Sequence, residues 1–141
     1  MPTSAEPELL VDTSVAVALV VSDHEHHDAV SEALGDRRLG LAGQAAFETF
    51  SVLTRLPTPL RRTPRAVGQL LANNFSDSRF LDADAAAKLL VRLSVLGIAG
   101  GAVYDALVGA AALQHRLHLA TRDRRAMDTY RKLDVDLEIL S

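Results

Sequence analysis

Short apolar runs of strand length alternate with longer helix-like segments along the 141 residues, which predicts an α/β domain on a mainly parallel sheet covered on both faces. Two further observations point the same way. Apolar residues make up 48% of the chain but aromatics only 4%, so the core is written in Ala, Val and Leu, which suits close-packed helices on a sheet. Two acidic residues also fall just beyond the carboxyl ends of expected strands, where open α/β sheets bind their ligands. The length corresponds to about one domain, able to bury roughly two-thirds of the surface of its unfolded form.

Taken in order, residues 1–8 are polar and read as a flexible tail, leaving residues 9–141 as the single domain. Leu9 to Val11 reads as a buried strand, and Thr13 or Ser14 offers a hydroxyl cap for a helix to about Val21. His24 to Leu34 is the next expected helix, ended by Gly35, and Arg38 to Ala42 the next strand. A helix from about Gln44 to Leu56 carries Phe47, Phe50 and Leu53 at core spacing and is stopped by Pro57, with Glu48 off that stripe. Between Arg55 and Arg65, three prolines and four arginines form a turn-like basic connector. Pro64 then opens a helix to about Asn74. A strand near Arg79 to Leu81 follows, then helices from about Asp84 to Leu96 and from Val103 to His115. A strand from Leu117 to Ala120, a helix from Arg124 to Lys132 and a strand from Leu137 to Leu140 close the domain.

Composition narrows the function. Cysteine is absent, so disulfides and thiolate metal sites are excluded and carboxylate or imidazole remain as ligands. The tail lacks the features of a secretory signal, and the apolar run from Val15 to Val21 is too short to span a bilayer, so the expected compartment is the cytosol and no membrane partner is expected. A net charge of −3 gives no general case for nucleic-acid binding, which would need a local basic patch.

Four acids stand beside strongly apolar residues: Asp12 in Leu10-Val11-Asp12-Thr13-Ser14, Glu48 after Phe47, Asp105 in Val103-Tyr104-Asp105-Ala106-Leu107, and Asp123 in Thr121-Arg122-Asp123. Singly, Asp12 and Asp123 read as helix caps and Glu48 as a solvated helix residue. Jointly they read as ligands of a shared hard cation, since an unpaired carboxylate in such surroundings is costly. Val108, Gly109 and Ala112 give the Asp105 helix a small-residue face that permits close approach of another element. His24, His26 and His27 lack the His-Glu-x-x-His spacing of a zinc site and read as a solvated helix start. A receiver-like regulatory module would need a lysine after a strand, and neither Lys88 nor Lys132 stands there.

The series Val11-Asp12-Thr13-Ser14, Phe47-Glu48-Thr49-Phe50-Ser51-Val52-Leu53-Thr54-Arg55-Leu56-Pro57, Gly101-Ala102-Val103-Tyr104-Asp105-Ala106-Leu107 and Thr121-Arg122-Asp123-Arg124-Arg125-Ala126 resembles the PIN-domain ribonucleases, specifically the VapC toxins of type II toxin–antitoxin modules. The resemblance implies a three-layer α/β/α fold, Mg2+- or Mn2+-dependent cleavage of RNA, inhibition by a VapB-like antitoxin, and a homodimer. It puts Asp12, Glu48, Asp105 and Asp123 on the family's acidic positions, with hydroxyls beside them at Thr13, Ser14 and Thr121. Asp12 and Asp105 are the expected direct ligands and Asp123 a direct or water-mediated one, while Glu48 orients a water or holds a second ion. Asp128 reads as a surface helix residue. Arg55, Arg61, Arg62, Arg65 and Arg122 are the candidate RNA-backbone contacts, with Arg124 and Arg125 beside them. With so few aromatics, recognition of RNA shape is expected over stacking of unpaired bases. A PIN nuclease of RNA processing, or a non-catalytic binding module, is the alternative.

Overall fold

The computed structural model describes residues 7–141. Its elements run β1 (Leu9–Val11), α1 (Thr13–Val20), α2 (His27–Leu34), β2 (Leu39–Leu41), α3 (Gln44–Thr54), α4 (Pro64–Asn74), α5 (Ala83–Leu96), α6 (Ala102–Gln114), β3 (Leu119–Thr121), α7 (Met127–Lys132) and β4 (Leu137–Ile139). The four strands form one parallel sheet in the order β2-β1-β3-β4, as expected for an α/β/α domain. Parallel neighbours need crossovers, and helices supply every one.

Alternation along the strands sets the layers. Leu9 and Val11 point into one core with Val15, Val30, Leu34, Leu53 and Val67, so α1 to α4 cover that face. Leu10 between them points the other way, into a core with Leu89, Ala106, Val108, Tyr130 and Leu133 from the α5, α6 and α7 side. β3 repeats the rule, Leu119 joining the second core and Ala120 the first. Each fully buried Leu or Val of this kind contributes about 1.5–3 kcal/mol.

The strand order places β1 and β3 side by side, with the chain turning to β2 on one flank and β4 on the other. This is the switch point of the sheet, where a crevice opens beyond the carboxyl ends. Val11 pairs with Ala120 across it, so Asp12 and Thr121 emerge together. Gly40 in β2 lets the neighbouring segment press in: a Cβ there would stand 2.5 Å from the Asp77 carbonyl oxygen and 3.0 Å from Leu10 Cδ2.

Several elements differ from expectation. The strand near Arg79 to Leu81 reduces to one bridge between Arg79 and Ala42, because Asp82 already caps α5 through Ala85 N–H and leaves no length for a strand. Helix α2 begins at His27: His26 N–H donates to His24 Nδ1 and His27 Nδ1 lies 3.0 Å from the Ala18 carbonyl, which makes a turn of the preceding residues. The Arg124 start is likewise a turn, with α7 beginning at Met127. On α3 the buried face is Ala45, Thr49 and Leu53, whereas Phe47 and Phe50 are 64% and 36% exposed. Close packing on α6 selects the small side chains, since a Cβ on Gly43 would meet Ala111 Cβ at 3.0 Å. Of the expected tail, residues 1–6 lie outside the described residues. Pro7 is buried, and Glu8 N–H donates to the Arg38 carbonyl at 2.7 Å, so these two are tied to the fold. Among the described residues no helix is long and apolar enough to cross a membrane.

Candidate active site

Asp12 follows β1 and, of the caps expected at Asp12, Thr13 or Ser14, is the one that caps α1: Val15 N–H donates to Asp12 Oδ1 at 3.3 Å. The Ser14 hydroxyl instead donates to Oδ1 at 2.6 Å, while Oδ2 accepts from Thr121 Oγ1 and from the Tyr130 hydroxyl, the latter at 3.0 Å. Two of these hydroxyls are relays. Arg122 N–H donates to Ser14 Oγ at 2.9 Å and Asp123 N–H to Thr121 Oγ1 at 3.0 Å, so the loop after β3 is tied to Asp12 through them. Burial pushes the Asp12 carboxyl above its usual range, against the pull of the hydrogen bonds from Ser14, Thr121, Tyr130 and Val15. Thr13 Oγ1 reaches the Ala45 carbonyl at 3.5 Å and links α1 to α3.

Glu48 lies in the second turn of α3, and its Oε1 is buried without a hydrogen-bond partner, as is the neighbouring Thr49 Oγ1. Asp105 lies in the first turn of α6. Burial raises both carboxyls. The charges of Asp105 and Asp12 add to the rise at Glu48; those of Asp123 and Asp12 add at Asp105, where Arg125 opposes them. Asp123 accepts from Arg125 N–H at 3.0 Å, with Arg125 Nε 3.7 Å from its Oδ1.

The four acids line one small cavity of about 40 Å³ together with Thr13, Ser14, Val108 and Tyr130. Beside it lies a cleft of about 450 Å³ lined by Glu48, Gly101, Ala102, Asp105, Asp123 and Arg125. The two share Glu48, Asp105 and Asp123, so the larger cleft leads to the carboxylates. The donor set of hard oxygens around a buried orphan atom fits a hard divalent cation. Among the described residues, no group of three His, Cys, Asp or Glu side chains is drawn into a ready metal cage; the four acids line a shared cavity.

The expected cations are more dispersed. Arg55 is exposed at the end of α3 with Nε on Ser51 Oγ, and Arg61 turns its Nε to the Leu56 carbonyl. Arg62 and Arg65 are exposed, and Arg122 sends its Nε to the Ser141 carbonyl. Neither cavity lining includes these five, whereas Arg125 lines the cleft. Asp128 is exposed and pairs with Lys132 at 3.4 Å, as a surface helix residue should. Sequence reasoning missed Tyr130. Its spacing from Met127 marks it as apolar-facing on a polar helix, but nothing local shows that its hydroxyl meets Asp12. Burial and the Asp12 charge push that hydroxyl up, so it stays a donor.

A PIN domain model matches residues 9–133. The chain is 46% identical over 134 residues to ribonuclease VapC27 of Mycobacterium tuberculosis, an alignment covering 95% of this chain and 98% of that protein. In fold it is similar to a chain of the DNA-bound VapBC from Salmonella typhimurium, at 18% identity with TM-score 0.67, covering 95% of this chain and 98% of that one. It is also similar to M. tuberculosis VapC20, described as a sarcin-ricin loop cleaving toxin, at 18% identity with TM-score 0.64, covering 85% and 93%. A sequence match of this extent, on a parallel sheet that gathers the four acids at its switch point, means that the chain belongs to the PIN-domain family and, within it, to the VapC ribonucleases.

Proposed function

We propose that this chain is a Mg2+- or Mn2+-dependent endoribonuclease toxin that cleaves structured RNA, a tRNA or rRNA, and is neutralised by a VapB-like antitoxin. The observation that carries this reading is the cavity at the sheet's switch point, where Asp12, Glu48, Asp105 and Asp123 arrive from separate segments around a buried, unpartnered Glu48 Oε1. Asp12 and Asp105 would hold the cation directly, Asp123 directly or through water, and Glu48 through a water or a second ion. When bound, the cation supplies charge compensation at the scissile phosphate and lowers the pKa of the attacking water.

The chain's own residues do the rest. Glu48, with its carboxyl raised, accepts a proton from the attacking water at Oε1. Water oxygen bonds to phosphorus as the bond to the 3′ oxygen breaks in line, and the departing 3′ oxygen takes a proton from solvent water, giving a 5′-phosphate and a 3′-hydroxyl. Arg125 at the cleft wall holds a substrate phosphate, with Arg55, Arg61, Arg62, Arg65 and Arg122 available to more distant parts of a folded RNA. A cation from the antitoxin, such as an arginine, would pair with the same carboxylates. A homodimer, on the family pattern, completes the proposal.

Purified chain incubated with total RNA in Mg2+, Mn2+ or chelator should produce discrete new ends only with the cations, and an Asp12→Asn/Asp105→Asn variant should produce none. Cutting that persists in chelator would refute the cation dependence, and no cutting by folded, cation-loaded protein would refute the nuclease reading.

A further inference from the structure

Asp12 accepts four hydrogen bonds, from Val15 N–H and Ser14 Oγ at Oδ1 and from Thr121 Oγ1 and the Tyr130 hydroxyl at Oδ2. A carboxylate offers about four lone-pair positions, so the ion-free side chain is fully occupied by protein donors. A cation can reach it only where a donor gives way. Ser14 and Tyr130 line the small cavity with Asp12, whereas Thr121 does not. Ser14 is two residues from Asp12 and leaves it by one side-chain rotation, giving up the Arg122 N–H that its Oγ accepts. Tyr130 is held far more firmly: it comes from 118 residues away, is 1% exposed, and seats its ring on α6 where a Cβ at Gly109 would approach Cδ1 to 3.0 Å. The small-residue face of α6 therefore admits this ring.

We propose that Tyr130 is a positioning residue for the cation site: with Thr121 it pins Asp12 Oδ2 and so sets the carboxylate plane, leaving Oδ1, freed by rotation of Ser14, as the oxygen offered to the ion. The assignment rests on the cation-dependent reading above. It makes α7 part of the site although α7 contributes no acid to it. An outer hydrogen-bond partner of this kind changes cation affinity by about 10–100-fold when lost.

The test is calorimetric titration of MnCl2 into the metal-free full chain, for the native sequence, Tyr130→Phe and Asp105→Asn. The expected result is binding by the native chain, loss of binding in Asp105→Asn, and affinity weaker by about tenfold or more in folded Tyr130→Phe. A second readout does not depend on that variant folding. Tyr104 and Tyr130 are the chain's two tyrosines, so 3-fluorotyrosine labelling of a Tyr104→Phe background leaves one 19F resonance, which should move with MgCl2 over the range that saturates the site. Native-like Mn2+ affinity in folded Tyr130→Phe, or a resonance that stays put at saturating Mg2+, overturns the positioning role while the cation site stands. Absence of Mn2+ binding by the native chain overturns the cation reading and this assignment with it.

Discussion

Two acids in the same cavity are treated in opposite ways. Asp12, at the β1–β3 seam, is buried and surrounded by four protein donors. Glu48, on the α3 rim, has a buried oxygen with no donor at all. The first is a carboxylate the fold has solvated with its own dipoles; the second awaits charge compensation from outside. Burial raises both carboxyls, but at Asp12 four protein donors offset part of the cost, whereas no donor among the described residues offsets it at Glu48 Oε1.

The sharpest way to break this comparison is to neutralise each acid in turn. Asp12→Asn should abolish cleavage, with a loss above about 100-fold, more than an outer hydrogen-bond partner is worth. It should also destabilise the cation-free fold by about 1–3 kcal/mol, because an amide cannot accept from all four donors. Glu48→Gln should likewise impair cleavage but stabilise the fold in chelator, by on the order of 1 kcal/mol. Denaturant melts in chelator check both, and destabilisation by Glu48→Gln would erase the contrast.

Acidity sharpens it further. Glu48 and Asp105 carry carboxyls raised by burial and by neighbouring charge, so the folded chain binds protons more tightly than the unfolded one. Their contribution is fully present below the unfolded carboxylate pKa and is lost as pH rises through the raised folded values. As pH falls from neutral toward the ordinary carboxylate range, acidification should therefore stabilise the cation-free native chain relative to a Glu48→Gln/Asp105→Asn variant, and saturating Mg2+ should flatten the difference. Calorimetric melts across that range would show it; a native chain that loses stability relative to the variant on acidification would contradict it. The smallest expected effect is at the cleft wall: Arg125→Ala should raise KM several-fold with kcat nearly unchanged and make cleavage less salt-sensitive, as loss of about one phosphate contact would. A fall in kcat at constant KM would move Arg125 into the chemistry.

Much of this arrangement was readable before folding. Short apolar runs and helical patterning located most of the strands and helices, because a strand buried on both faces and a helix with one buried face each leave a local signature. Asp12, Glu48 and Asp105 were legible because each stands beside apolar residues, and Asp123 because it follows the end of an expected strand. The choice of buried face on α3 was not, since Phe47 and Phe50 fit a helical stripe as well as Ala45, Thr49 and Leu53 do. Only the close approach of α6, visible at Gly43, excludes the large rings. Phe47 contacts Phe80 near the surface instead, with ring centroids 6.0 Å apart.

The sequence by itself determined the α/β class, the parallel sheet and the four acids, since these rest on periodicity, composition and chain order. The tertiary structure decided which donors satisfy which acid: that Asp12 is capped, relayed to the β3 loop and met by Tyr130, and that Glu48 Oε1 meets no donor. The physical reason is that hydrogen bonds and desolvation act over a few ångströms in space, and a contact spanning 118 residues leaves no trace in the neighbours of either partner.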